Sequence, residues 1–390
     1  MKKPTRVNHP PPIKLPPDNR PLVDPIYQSV KFEFDSLEET ERFLRGERPG
    51  FFYTRSGNPT NRQLEQLLAE LQGREECLVT ASGVGAIAQT LLALTRAGDH
   101  IVSFIEGYNP SRYLIRRVLA RFGVAHTLLP IEDTAALERT LQAQPVRLVF
   151  FESPTNPITR IADIEALTRA AHAHGALAVM DNTFAGFHQH GEYDVDVFVH
   201  SLTKYASGAG DVLGGAVIAR GELIRGMRTD FATLGGTLDP HAAFLILRGM
   251  RSYFVRYQAQ AASALRIAQL LSSQRAVARV HYPGLAAHPQ HALAARQMRD
   301  FGSIVSFDLA GGEAAARRFA DALELFALTP SLGSGESLIV TAHIMAAREL
   351  DAEQQRISGI TAGTVRLSIG LEDTDDLIED VSQALAAADS

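Results

Sequence analysis

HSLTKYASGAGD, residues 200–211, sets one lysine, Lys204, among small and hydroxylated residues with little that could pair with an ammonium group. Desolvation and nearby dipoles can pull the pKa of such a lysine down from about 10.4 toward neutrality, which leaves a nucleophilic amine. Ser201 and Thr203 flank Leu202 just before it and offer two hydroxyls. In LVTASGVGAIAQTLLAL, residues 78–94, a strand pattern runs through a turn at Ser82, Gly83, Val84 and Gly85 into an apolar helix. The first amides of such a helix lack intrahelical partners and form an anion site suited to phosphate. DNTF places Asp181 directly after the apolar run LAVM. A carboxylate there can keep a pyridine nitrogen protonated, which turns the ring into an electron sink.

These pieces act together only if the chain brings them to one place. Short apolar runs, CLVTAS, HIVSF, VAHTLL, RLVFFES, LAVMDNT, DVFVHSL and GGAVIAR, alternate with helical patterns such as RYLIRRVLARF and IEALTRAAHAHG. Strands apolar on both faces and separated by helices predict an α/β fold with a mostly parallel sheet covered on both sides. Ligands bind beyond the carboxyl ends of such strands, where Ser82, Glu106, Tyr108, Glu152, Asp181, Ser201 and Lys204 fall. A phosphate cradle, a lysine amine and an aspartate on one sheet edge are together what pyridoxal 5'-phosphate requires. In TNRQLEQLLAELQG the leucines at 64, 67, 68 and 71 predict a helix capped by Thr60 and stopped by Gly73. Past residue 240 come long helices, then FGSIVSFDLA and TVRLSIGL with period-two alternation, which predict a smaller α+β domain with a partly exposed antiparallel sheet.

Composition excludes several classes. At 390 residues with 45% hydrophobic and 21% charged residues, the chain has the makings of a two-domain globular enzyme. A net charge of −6 and the lack of a basic cluster interleaved with aromatics argue against nucleic acid. Cys77, the single cysteine, sits in a strand pattern as a small core hydrophobe; no disulfide or multi-cysteine metal site can form within the chain, which suits a reducing compartment. The start lacks an apolar signal core and no stretch is long enough to span a membrane, so the protein is expected in the cytoplasm. Eight of the 19 prolines fall in residues 1–25, which predicts an extended arm suited to lie along a second subunit.

FFYTRSGNPT, SGVGA, ESPTNP, DNTF, SLTKY with GAGD after it, RGMRS, YPGL, SLGSGESL and VRLSIGLED follow one another over residues 25 to 385. In this order they resemble the trans-sulfuration family of pyridoxal-phosphate enzymes, which includes cystathionine gamma-lyases, gamma-synthases and beta-lyases. The resemblance implies fold type I, the aspartate-aminotransferase architecture, with an arm at 1–58, a cofactor-binding domain at 59–240 and a small domain at 241–390. It implies a homotetramer built as a dimer of dimers, with active sites shared between chains. Lys204 would carry the cofactor and then move protons, Asp181 would pair with the ring nitrogen, and Gly83, Val84, Ser201 and Thr203 would hold the phosphate. Tyr108 would stack on the ring and Asn156 would lie near its phenolic oxygen. Arg366 would clamp the substrate carboxylate, with Ser331 and Asn156 beside it. Tyr53 and Arg55 would reach the phosphate of the neighbouring subunit, and Tyr53 or Tyr108 would assist the leaving group.

The implied activity is carbon–sulfur lysis by β- or γ-elimination on a cystathionine- or methionine-type substrate, a lyase of cysteine and methionine metabolism. The alternatives are γ-replacement on an acylated homoserine, a fold type I aminotransferase, or a regulatory relative without activity. Three departures bear on specificity. YNPSRYLIR replaces the common Tyr-Gly-Gly-Thr, Ala209 and VTAHIMAAR stand where many members carry histidines, and Pro330 stands where γ-acting members carry a glutamate facing a distal ammonium. Proline offers no charge there, which favours a smaller or apolar leaving side. His172, His174, His188 and His190 are read as surface polar residues, with no metal expected.

Overall fold

The structure is a computed structural model that describes residues 18–341 and 350–389. Most of VTAHIMAAR therefore lies outside the described residues, as do the first 17 residues of the arm. Seven strands, β1 Glu76–Thr80, β2 His100–Phe104, β3 Ala125–Leu129, β4 Leu148–Glu152, β5 Leu177–Asp181, β6 Val197–Ser201 and β7 Gly215–Ala219, form one sheet in the order β1-β7-β6-β5-β4-β2-β3. Only β7 runs against the rest: it pairs antiparallel with both β1 and β6, so β1 points the same way as β2 to β6. Six carboxyl ends consequently share one edge. Alternate strand residues enter separate cores, Val102, Val149, Ala178 and Phe198 on one face and Ile101, Leu148, Val179 and Val197 on the other.

The helix Pro59–Gln72 buries Leu64 and Leu68 completely and ends at Gly73 with φ 67°. Its cap is Asn58 rather than Thr60, because Pro59 takes the first helical position and the Asn58 side chain accepts the Thr60 N–H. Thr60 Oγ1 instead accepts the Tyr27 N–H at 3.0 Å. The RYLIRRVLARF pattern is helical from Asn109 to Phe122 but changes pitch, with a π turn over Leu114–Val118. That wider turn lets Leu114, Ile115 and Leu119 all face the core.

A second sheet, in the order β10-β11-β12-β9-β8, comprises β8 Val277–His281, β9 Ile304–Leu309, β10 Ala327–Leu328, β11 Leu338–Thr341 and β12 Thr364–Ser368. The expected exposure is confined to β8 and β10; β9 and β12 are buried along their whole length. Their period-two pattern has another origin. Val305, Phe307, Val365 and Leu367 pack under helices, while of the intervening polar residues Ser306 and Arg366 reach the loop after β4, Ser306 Oγ donating to Pro157 O at 2.6 Å, and Asp308 accepts from Thr361 and Thr364. The helix Tyr253–Ser272 joins the two cores: Tyr253 and Tyr257 enter the first, Ala264, Ile267 and Leu271 the second.

The arm is not extended throughout. Lys31 bridges Tyr53, and between them lies the helix Leu37–Leu44, which has no buried residue. Ring contacts among Phe34, Phe43 and Phe52 hold this excursion together while leaving Phe52 and Tyr53 exposed. Among the described residues no helix is long and apolar enough to cross a membrane.

Candidate active site

A cavity of about 250 Å³ opens at the shared carboxyl edge, between the seven-stranded sheet and β12. At its base Ser82 caps the helix Gly83–Leu94, its Oγ accepting the Gly85 N–H at 3.0 Å. A Cβ at Gly83 would lie 2.7 Å from Ser201 Cβ, so only glycine lets the two strand ends close into a cradle. Gly83, Val84, Ser201 and Thr203 all line it. Thr203 Oγ1 accepts the Gly214 N–H at 3.1 Å, which fixes its hydroxyl.

Asp181 is buried, and its Oδ1 accepts both the Thr183 N–H at 3.0 Å and the Thr183 hydroxyl at 2.6 Å. Among the described residues no hydrogen bond falls on Oδ2. Burial raises the carboxyl's pKa while the Thr183 bonds lower it. A buried carboxylate with one oxygen spare suits a cationic N–H partner. Lys204 Nζ donates to Ser331 Oγ at 3.0 Å and has no ion-pair partner among the described residues. Burial, then the charge of Arg366, lowers its pKa to about 8.

Arg366, in β12, is 2% exposed. Its Nη1 donates to Asn156 Oδ1 at 2.8 Å and its Nη2 to Ser331 O at 3.0 Å, both neutral acceptors, while Nε has no partner. Burial lowers its pKa to about 10. A buried guanidinium without a counterion carries an uncompensated desolvation cost that a bound carboxylate would offset. Tyr108 lines the same cavity, and burial followed by the charges of Asp181 and Glu152 raises its phenol. These groups fit pyridoxal phosphate: a cradle at Gly83 for the phosphate, Asp181 Oδ2 for the ring nitrogen, and Lys204 for the aldehyde.

The structure thus brings together Gly83, Val84, Tyr108, Asn156, Asp181, Ser201, Thr203, Lys204, Ser331 and Arg366, with Pro330 on the wall. Tyr53 and Arg55 do not line the cavity of their own chain; Arg55 donates to Ala232 O at 3.1 Å and lies 5.5 Å over the Tyr53 ring. Ala209 is exposed and off the wall. Sequence reasoning missed Thr183, whose signal is a hydroxyl two residues beyond an aspartate, the spacing of an Asx turn. It also missed the apolar walls Phe184 and Leu213.

The histidines are not simply surface residues. His190 is fully buried with Nδ1 on Asn182 Oδ1 at 2.8 Å, and burial lowers its pKa to about 3. His188 is half-buried between Tyr253 Oη and Asp300 Oδ2, each at 2.9 Å. The FHQHGEYD stretch forms turns rather than a strand, and its His188 ring packs against Tyr253 and Tyr257 of the helix Tyr253–Ser272. Among the described residues no group of three or more His, Cys, Asp or Glu side chains could hold a metal ion.

A family model described as Cys/Met metabolism PLP-dependent enzyme matches residues 14–386. The chain is 39% identical over 373 residues to an L-methionine gamma-lyase of Fusobacterium nucleatum subsp. polymorphum, covering 93% of each chain. Cystathionine gamma synthase from Xanthomonas oryzae pv. oryzae, solved in complex with aminoacrylate and cysteine, is similar with TM-score 0.88 and 40% identity over 94% of this chain and 93% of that one. A putative O-acetylhomoserine (thiol)-lyase from Campylobacter jejuni subsp. jejuni, whose structure holds N'-pyridoxyl-lysine-5'-monophosphate, is similar with TM-score 0.88 and 32% identity over 94% of this chain and 96% of that one. With its seven-stranded sheet, its lysine-bearing edge and these relatives, the chain belongs to the Cys/Met metabolism family of pyridoxal-phosphate-dependent enzymes, of fold type I.

Proposed function

We propose that the chain is a carbon–sulfur lyase that removes a thiol from Cβ or Cγ of a short sulfur amino acid. The observation that carries this reading is Arg366, a buried guanidinium lining the same cavity as Lys204, with a free Nε and no carboxylate partner among the described residues. Such a fork receives an α-carboxylate in two-pronged fashion. Pyridoxal phosphate, when bound, supplies the carbonyl that captures the substrate amine and the ring that spreads the charge left when a proton departs from Cα. Asp181 keeps a proton on the ring nitrogen. Lys204 Nζ, with a pKa of about 8, takes and returns protons at Cα and beyond. Tyr108, whose phenol is raised, keeps its proton at Oη for the departing sulfur.

The apolar part of the lining favours a short, uncharged leaving group. Phe184, Leu213 and Pro330 line the cavity and none of the three can pair with a distal ammonium. Rates on cystathionine and on short thioether or O-acyl substrates test this point, and a large preference for cystathionine would overturn it. If a thiol rather than water intercepts the product side, the same residues perform γ-replacement. Product analysis with methionine, homocysteine, cystathionine and O-acylhomoserine, with and without thiol, decides: pyruvate marks β-chemistry, 2-oxobutyrate γ-chemistry, and a new thioether replacement. Steady release of ammonia is expected; stoichiometric conversion without turnover would mean transamination.

This reading includes a dimer of dimers in the cytoplasm, in which Tyr53 and Arg55 serve the partner's phosphate site. Its units are the arm 1–58, a cofactor-binding domain 59–240 and a small domain 241–390. The exposure of Tyr53, Phe52 and the helix Leu37–Leu44 supports an arm that a second copy covers.

A further inference from the structure

Glu152, the last residue of β4, lines the cavity beside these groups. It is 7% exposed, and its Cα is in register with that of Asp181 on the neighbouring strand. Its Oε1 accepts the Asn156 N–H at 3.0 Å, and Asn156 Oδ1 in turn accepts Arg366 Nη1 at 2.8 Å. A chain of two hydrogen bonds therefore runs from a rigid strand end in one sheet to a guanidinium on β12 in the other. We propose that Glu152 is a positioning residue: it fixes Asn156, and through Asn156 the fork of Arg366, so that the substrate carboxylate is met in one orientation. The proposal rests on the reading that Arg366 binds that carboxylate.

Burial, followed by the charge of Asp181, pushes the Glu152 carboxyl well above the usual range. Whatever its charge, the carboxyl accepts the Asn156 N–H through one oxygen as an amide would, so glutamine should replace it and a side chain without an acceptor should not. The test compares E152Q, E152M and N156A as holoenzymes. E152Q is expected to keep KM for the amino acid within about threefold of wild type, whereas E152M raises it at least about tenfold with a smaller change in kcat. Because the effect passes through Asn156, KM of E152M/N156A should match that of N156A alone. In cofactor-free protein, peptides covering 153–160 should exchange amide hydrogen faster in E152M than in wild type or E152Q. An unchanged KM in E152M, additive effects in the double variant, or E152Q as impaired as E152M would each overturn the proposal. If E152M does not fold, E152A takes its place, and a tenfold KM rise in E152Q alone suffices for rejection. R366K run alongside separates the two ideas: an unchanged KM there defeats the carboxylate reading itself, whatever the variants of Glu152 do.

Discussion

Lys204 and Arg366 line one cavity, and the charge of Arg366 adds to burial in depressing the tendency of Lys204 to hold a proton. For Lys204 the sign is clear: protonated amine below about pH 8, free amine above it. The rate at which cofactor-free protein takes up pyridoxal phosphate should therefore climb as pH rises through about 8 and level off beyond; stopped-flow absorbance measures it, and a flat profile would refute the role. The same depression affects folding. The buried ammonium costs most below about pH 8, and that cost is relieved as pH rises toward the ~10.4 of a solvated lysine, so cofactor-free protein gains stability across that window. Arg366→Lys keeps the charge but loses the fork, and steady-state kinetics should show KM for the amino acid rising roughly 10- to 100-fold.

The cradle belongs to a strand, a turn and a helix acting as one unit. Gly83→Ala drives a methyl into Ser201 Cβ at 2.7 Å and separates the two strand ends. Cofactor Kd, measured by fluorescence titration, should rise at least about tenfold, or ~1.4 kcal/mol. Much of this edge was legible from sequence, because short apolar runs ending in Ser82, Asp181 and Lys204 are local patterns and the parallel sheet collects their ends by rule. What escaped depends partly on partners distant in the chain and partly on local bonds that residue types alone do not single out. Asn58 outcompetes Thr60 as cap because of the intervening proline. The alternation in β9 and β12 looked like solvent exposure, but its polar face meets the loop after β4. His190 looks polar in the sequence and is taken out of water beside Asn182 and the Tyr193 ring. Thr183 and the bond from Asn156 to Glu152 are local, two and four residues along the chain, and their signal went unread.

Assembly extends the same logic, since Tyr53 and Arg55 lie outside the lining of their own cavity. If each site draws on two chains, K204A and R55A should each be deficient alone, while a mixture refolded together regains activity from heterodimers that hold one intact site. Failure of mixed refolding to restore turnover would place Arg55 outside the partner's site. Within one chain, the amine of Lys204 hangs from the seven-stranded sheet and the guanidinium of Arg366 from the five-stranded one. The 20-residue helix Tyr253–Ser272 is rooted in both cores like a shared girder. The spacing between amine and guanidinium, and with it the length of amino acid that fits, thus depends on how this helix seats one sheet on the other as well as on the side chains that line the cavity.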